Sequence, residues 1–182
     1  APGDLSKDDE AAARAALKTA LKAGHARLQE GGSSVDAVTA AITVLEDAPQ
    51  FNAGRGAVFT HDGRNELDTS IMDGATGKAG AAAGLQHVKN PITLARAIMD
   101  HSAHVMLVGD GAEQFAKAQG LELVDPSYFR TDRRWKALKQ AQEEEKQAQA
   151  SNPPVMLPGK AYFGTVGALA LDASGHLAAG TS

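Results

Sequence analysis

The chain contains no cysteine. Thiolate nucleophiles, disulfides and cysteine-based zinc sites are therefore excluded. This absence leaves the compartment open, because a secreted protein need not contain disulfides. Long basic runs are missing as well, and the net charge over 182 residues is -4. Nucleic acid and anionic membranes are therefore poor partners. No apolar stretch is long enough to cross a bilayer. Nor does the chain start with Met or a secretory hydrophobic region, since its first residue is Ala1. What it does have is enough apolar residue, 43%, to bury the core of one domain or part of one.

The most informative feature is Gly164-Thr165, within Tyr162 to Asp172. The pair follows a polar, linker-like tract and opens an apolar run that reads as a buried strand. A threonine freed as a new N-terminus carries a nucleophile (Oγ1) and a base (its α-amine) on one residue. That amine has an unperturbed pKa of roughly 7.7–8.0 and so accepts a proton near neutrality. The plainer alternative is a β-branched residue starting an ordinary strand.

Hydrophobic spacing and breakers give the coarse organisation. Ser6 caps a helix from about Lys7 to Glu30, with Ala13, Leu17, Leu21 and Leu28 as its apolar face and Gly24 allowing a close neighbour. A second helix runs from Ser33 or Ser34 to Glu46, before Pro49, with Val35, Val38, Ala41, Ile42 and Leu45 inside. Ala57–Thr60 and Glu66–Met72 read as a hairpin, and Lys78–Val88 as a closely packed strand. Then come a helix from Pro91 to about His101, a short strand Val105–Val108, and a helix Ala112–Gln119. The tract from about 140 to 162 is polar and broken by Pro153-Pro154 and Pro158-Gly159, so it reads as a mobile linker. Val166–Leu171 and Leu177–Thr181 form a final hairpin. Strands, then helices, then strands around one core predict stacked layers of sheet and helix, an α+β fold.

Several segments together resemble a known family. They are Phe51–Thr60, Glu66–Gly74, Asn90-Pro91 with its helix, His104–Leu107, Gly164–Asp172 and Leu177–Ser182. In this order they are similar to the plant-type L-asparaginase/isoaspartyl aminopeptidase group of N-terminal-nucleophile hydrolases. Gly164, where related glycosylasparaginases place Asp, favours the asparaginase branch. The resemblance implies a four-layer αββα sandwich, incomplete in this chain. It also implies a precursor that cuts itself before Thr165 and assembles as (αβ)2, and an amidohydrolase acting on L-asparagine and β-aspartyl dipeptides. No catalytic cofactor is implied.

On this reading residues 1–139 are the α-subunit-like region. Residues 140–164 are the linker ending at the cut, and 165–182 begin the β-subunit-like region, whose remainder would be a partner. The family's His-Gly-Gly loop, second threonine, substrate clamp and oxyanion Thr-Gly pair have no counterpart in the 182 residues. The chain alone is therefore expected to be inactive. The alternative is a fragment that serves only as a structural or assembly piece. The expected compartment is the cytoplasm, with the periplasm still open.

Individual residues keep two readings. Gly164 leaves its carbonyl open to Oγ1 and tolerates a strained turn. Asn52 is either polar support for the active site, where the family places it, or a loop Asn bonding its own backbone. Leu45 to Arg55 resembles the family's sodium loop, which implies backbone-carbonyl ligands at Leu45, Glu46, Ala48, Phe51, Ala53 and Arg55. The alternative is a plain helix-to-strand connection. Asp68 and Asp73 fall on opposite strand faces, which argues against a carboxylate pair. His101 and His104 lack a third metal ligand. Gly109-Asp110-Gly111 lacks the rest of a phosphate loop.

Overall fold

The computed structural model describes residues 6–150 and 164–182. Helix α1 (Lys7–Gln29) begins at Ser6, whose hydroxyl accepts from the Asp9 amide at 3.1 Å. Helix α2 (Ser34–Glu46) starts in a full capping box, with Ser33 and Asp36 satisfying each other's backbone N–H groups. The face that α1 buries differs from the expected one: Leu17 and Leu21 are 50% and 74% exposed, whereas Ala20 and Gly24 are buried. Small residues let the two helices approach closely. A Cβ on Gly24 would lie 2.9 Å from the Ala37 carbonyl oxygen.

Five strands follow: β1 (Leu67–Asp73), β2 (Ala79–Leu85), β3 (Met106–Val108), β4 (Gly167–Leu171) and β5 (Leu177–Thr181). They form one sheet in the order β3-β2-β1-β5-β4. The β2–β3 pair is parallel and the others antiparallel. The early hairpin is reduced to a single bridge, Phe59 with Asn65, because β1 takes β2 and β5 as its partners instead. The terminal hairpin therefore joins the same sheet, with β5 beside β1, about a hundred residues earlier in the chain, and β4 at the edge.

Helices α2 and α3 (Pro91–His101) cover one face of the sheet. Val38, Ile42, Leu45, Ile71, Ile92 and Ala178 form one buried cluster there. Leu67, Leu85, Leu94, Ile98 and Phe129 form a second, with Ala112 and Ala116 of α4 (Gly109–Ala118). Gly80 lets β2 touch α3: a Cβ there would fall 2.0 Å from the Ala95 carbonyl oxygen. The opposite face is uncovered among the described residues, polar near Ser70 and Thr181 and apolar further along. Met72, Ala79, Ala179 and Leu169 share one cross-strand row, and Met72 and Leu169 are 51% and 78% exposed. Strand alternation puts one set of side chains on the helices and leaves the other set uncovered.

Helix α5 (Asp132–Ala150) extends through 140–150, which the sequence marked as the start of a linker. Polar pairs one turn apart, Gln140–Glu144 at 2.8 Å and Gln147–Glu143 at 3.2 Å, support it in place of an apolar face. The rest of the expected linker, 151–163, lies outside the described residues. Among the described residues no helix is long and apolar enough to cross a membrane.

Candidate active site

The chain from α2 to the Phe59–Asn65 bridge turns sharply over residues 47–56. Gly54 (φ 44°) and Gly56 (φ 131°) occupy backbone conformations that other residues rarely adopt. Their space is also taken: a Cβ on Gly54 would lie 2.5 Å from the Glu46 carbonyl oxygen, and one on Gly56 2.7 Å from those of Phe51 and Pro49. This compact loop carries Asn52. Its Oδ1 accepts from the Val58 amide at 2.8 Å, and its Nδ2 donates to the carbonyl of Gly164. Both ends of the side chain are engaged, so its orientation is set. Of the two readings of Asn52, the local-backbone bond is present, and a contact 112 residues away is present with it.

Thr165 follows Gly164 at the entry to β4. Its Oγ1 donates to the Ser182 carbonyl at 2.7 Å, and that oxygen also accepts from the Val166 amide at 3.0 Å. The Ser182 amide returns a bond to the Val166 carbonyl at 3.1 Å, so the hairpin ladder continues past its strands to the threonine. Gly164 is in an open setting. Among the described residues, a Cβ there would meet only Asn52 Cβ, at an ordinary 3.5 Å.

Beneath this hairpin lies Glu46, fully buried at the end of α2. Its Oε1 accepts from the Ile92 amide in the first turn of α3 at 2.9 Å. Among the described residues neither its Oε2 nor the buried Ser182 hydroxyl makes a hydrogen bond of good geometry, although the hydroxyl lies close enough to favour the ionised carboxyl. Burial pushes the carboxyl up to about 7, against the opposing influence of the nearby Ser182 hydroxyl and the Ile92 amide. The sequence marked Glu46 only for its carbonyl. A lone Glu closing a helix gave no sign of a buried side chain.

The family model described as "Asparaginase" matches residues 2–182. The chain belongs to the asparaginase family. An isoaspartyl peptidase of Escherichia coli (strain K12) is 47% identical over 167 residues, covering 92% of this chain and 52% of that protein. A putative isoaspartyl peptidase/L-asparaginase of Dictyostelium discoideum is 41% identical over 204 residues, with 98% and 59% covered. The human isoaspartyl peptidase/L-asparaginase is 42% identical over 180 residues, with 99% and 56% covered. The chain thus spans about half the length of the curated relatives it matches.

Within this asparaginase-family chain, the other sequence candidates take structural places. Asp68 accepts from the Gly84 amide at 2.9 Å, and Asp73 closes a turn through Ala75 and Thr76. His101 ends α3, and His104 lies beyond it in the following loop. No group of three His, Asp or Glu side chains among the described residues is arranged to hold a metal. In the loop resembling a sodium site, the carbonyls of Leu45, Glu46 and Ala48 accept from Ala48, Arg55 and Phe51 amides at 3.2, 2.7 and 3.3 Å. Those of Glu46 and Ala48 keep a second lone pair, whereas that of Leu45 also meets the Asp47 amide. Those of Phe51, Ala53 and Arg55 take no hydrogen bond among the described residues.

Proposed function

We propose that Thr165 is the nucleophile of an autoproteolytic amidohydrolase acting on L-asparagine and β-aspartyl dipeptides. The observation that carries this is the Asn52 amide on the carbonyl of Gly164, the bond to be cut, while the hydroxyl of the next residue, Thr165, is oriented by the Ser182 carbonyl. Oγ1 attacks the Gly164 carbonyl carbon, and negative charge gathers on the oxygen that Asn52 already holds. The Gly164–Thr165 C–N bond breaks, the departing nitrogen takes the proton that Oγ1 gave up, and the acyl group rests on Oγ1 as an ester. Water hydrolyses the ester, leaving a Gly164 carboxylate, a restored hydroxyl and a free α-amine at Thr165.

In the mature enzyme that amine takes the Oγ1 proton as Oγ1 attacks the substrate's side-chain carbonyl. It then passes the proton to the leaving ammonia or amine, and water hydrolyses the β-aspartyl ester. Nucleophile and base lie on one residue, so no catalytic cofactor is required. The relatives named as isoaspartyl peptidases and L-asparaginases support these substrates.

The open apolar row through Met72, Ala179 and Leu169 fits a second sheet from the remaining β-region, which would complete the αββα sandwich in an (αβ)2 assembly. Neutral carbonyl oxygens of Leu45, Glu46, Ala48, Phe51, Ala53 and Arg55 suit a sodium ion, whose contribution would be to stiffen the Asn52 loop. No specific observation favours the reading as an inert assembly piece.

The test is product release by the full-length protein that contains this chain. Ammonia from L-asparagine and free aspartate from β-aspartyl dipeptides are expected, and both should vanish in Thr165→Ala. Equal release by Thr165→Ala would refute Thr165 as the nucleophile.

A further inference from the structure

Two adjacent arginines of α5 hold the loop that presents Asn52. Arg134 Nε donates to the Gly56 carbonyl at 2.7 Å, and Arg133 Nη2 donates to the Gln50 carbonyl at 2.8 Å and less closely to that of Pro49 at 3.4 Å. These acceptors flank Asn52 on both sides in sequence. They are loop carbonyls outside the sheet ladders, so their partners must come from elsewhere. Trp135, the next residue, packs edge-on against Phe59 with ring centroids 5.2 Å apart, which docks the same turn of α5 onto the residues following the loop. Arg134 is partly buried, and among the described residues no carboxylate pairs with it. A guanidinium in that setting is held by the carbonyl it meets.

We propose that Arg134, assisted by Arg133, is a positioning residue for self-cleavage: by fixing the Gly56 and Gln50 carbonyls it holds Asn52 on the Gly164 carbonyl. The inference rests on the function proposed above. The held loop in turn presents the Asn52 amide to the Gly164 carbonyl. Catalytic alignment is sensitive to shifts of about 1 Å from remote changes, which can lower a rate by about 100-fold. A loosened clamp therefore acts on the rate well before it unfolds the protein.

The experiment measures two quantities on full-length protein. The first is the first-order rate of precursor conversion, followed by intact mass. The second is hydrogen–deuterium exchange of residues 50–58, read in a Thr165→Ala background where no cutting occurs. Arg134→Gln should slow conversion by about 10- to 100-fold. It should raise exchange across 50–58 while leaving α2 protected. Arg134→Lys keeps a charged donor but loses the planar fork, so it should fall between native and Gln on both readouts. If Arg134→Gln does not fold, the Lys variant decides alone: slower conversion with raised exchange supports the clamp, and native values for both overturn it. Native-rate conversion of a folded Arg134→Gln protein overturns the proposal, and so does slow conversion with unchanged exchange at 50–58. A native protein that never cuts defeats the underlying function instead, so the two failures are distinguishable.

Discussion

Thr165 Oγ1 lies 2.7 Å from the Ser182 carbonyl oxygen, to which it donates. The hydroxyl is therefore oriented by the far end of its own hairpin. The γ-methyl helps, because a β-branched side chain has few χ1 choices. Thr165→Ser keeps the hydroxyl and opens the other staggered wells. It should still cut, slower than native by a factor of about 3 from rotamer population alone. Timed denaturing gels of freshly folded precursor provide the check, and a serine variant as fast as native would show that this orientation is unimportant.

Asn52 is expected to act on the transition state rather than on folding. Its Nδ2 donates to the Gly164 carbonyl oxygen, which would become negative in the proposed attack. Asn52→Ala should slow cleavage by about 10²–10³-fold, the usual cost of losing one oxyanion donor. The same variant frees the Val58 amide, so a modest drop in unfolding midpoint should accompany the slower cut. A drop in midpoint with a native cleavage rate would assign Asn52 a purely structural role.

The buried Glu46 carboxyl makes stability depend on pH in a stated direction. Its folded-state value, about 7, lies above the ordinary 4.5. The folded state therefore binds this proton more tightly than the unfolded state. The contribution is fully present below about pH 4.5 and is lost as pH rises through about 7. At about 1.4 kcal/mol per pH unit, the loss is on the order of 3 kcal/mol. Glu46→Gln should flatten this slope in urea unfolding at pH 5 and pH 8. A Gln variant with the native slope would assign the pH dependence to other groups.

Two glycines should differ in what an added methyl costs. At Gly80 the new Cβ would meet backbone, the Ala95 carbonyl at 2.0 Å and the Met99 nitrogen at 2.7 Å. At Gly180 it would meet side-chain ends, Val38 Cγ1 at 2.9 Å and Ile42 Cδ1 at 3.0 Å, which can shift. Gly80→Ala should cost about 3 kcal/mol or more, and Gly180→Ala about 1–2 kcal/mol. Unfolding midpoints in the opposite order would mean that β2 and α3 are less tightly joined than described.

The sequence was legible where one apolar pattern met one partner. Helices α2 and α3 and the terminal hairpin follow from caps, Pro91 and the Asp172–Gly175 turn. That turn also carries structure: Asp172 accepts from the Ser34 amide at 3.1 Å, tying the hairpin to the start of α2. The backbone N–H groups of His176 and Ser34 hold its carboxyl below the usual range. The face of α1 was not legible, because Ala20 and Gly24 pack by smallness while Leu17 and Leu21 point outward. The extent of α5 was hidden because its later turns are held by polar pairs. For the proposed site, the sequence singled out Gly164 and Thr165 from context, and Asn52 from its donor and acceptor groups together with the resemblance. The buried Glu46 side chain and the Arg134 bond to Gly56 are tertiary contacts that no local pattern encodes.

The most direct measurement is the intact mass and N-terminal sequence of the full-length protein after folding, with Thr165→Ala alongside. The account predicts two native pieces, one ending at Gly164 and the other beginning with a free Thr165, and a single uncut chain for Thr165→Ala. A native protein cut elsewhere or not at all, or a Thr165→Ala protein still divided at that bond, would contradict it.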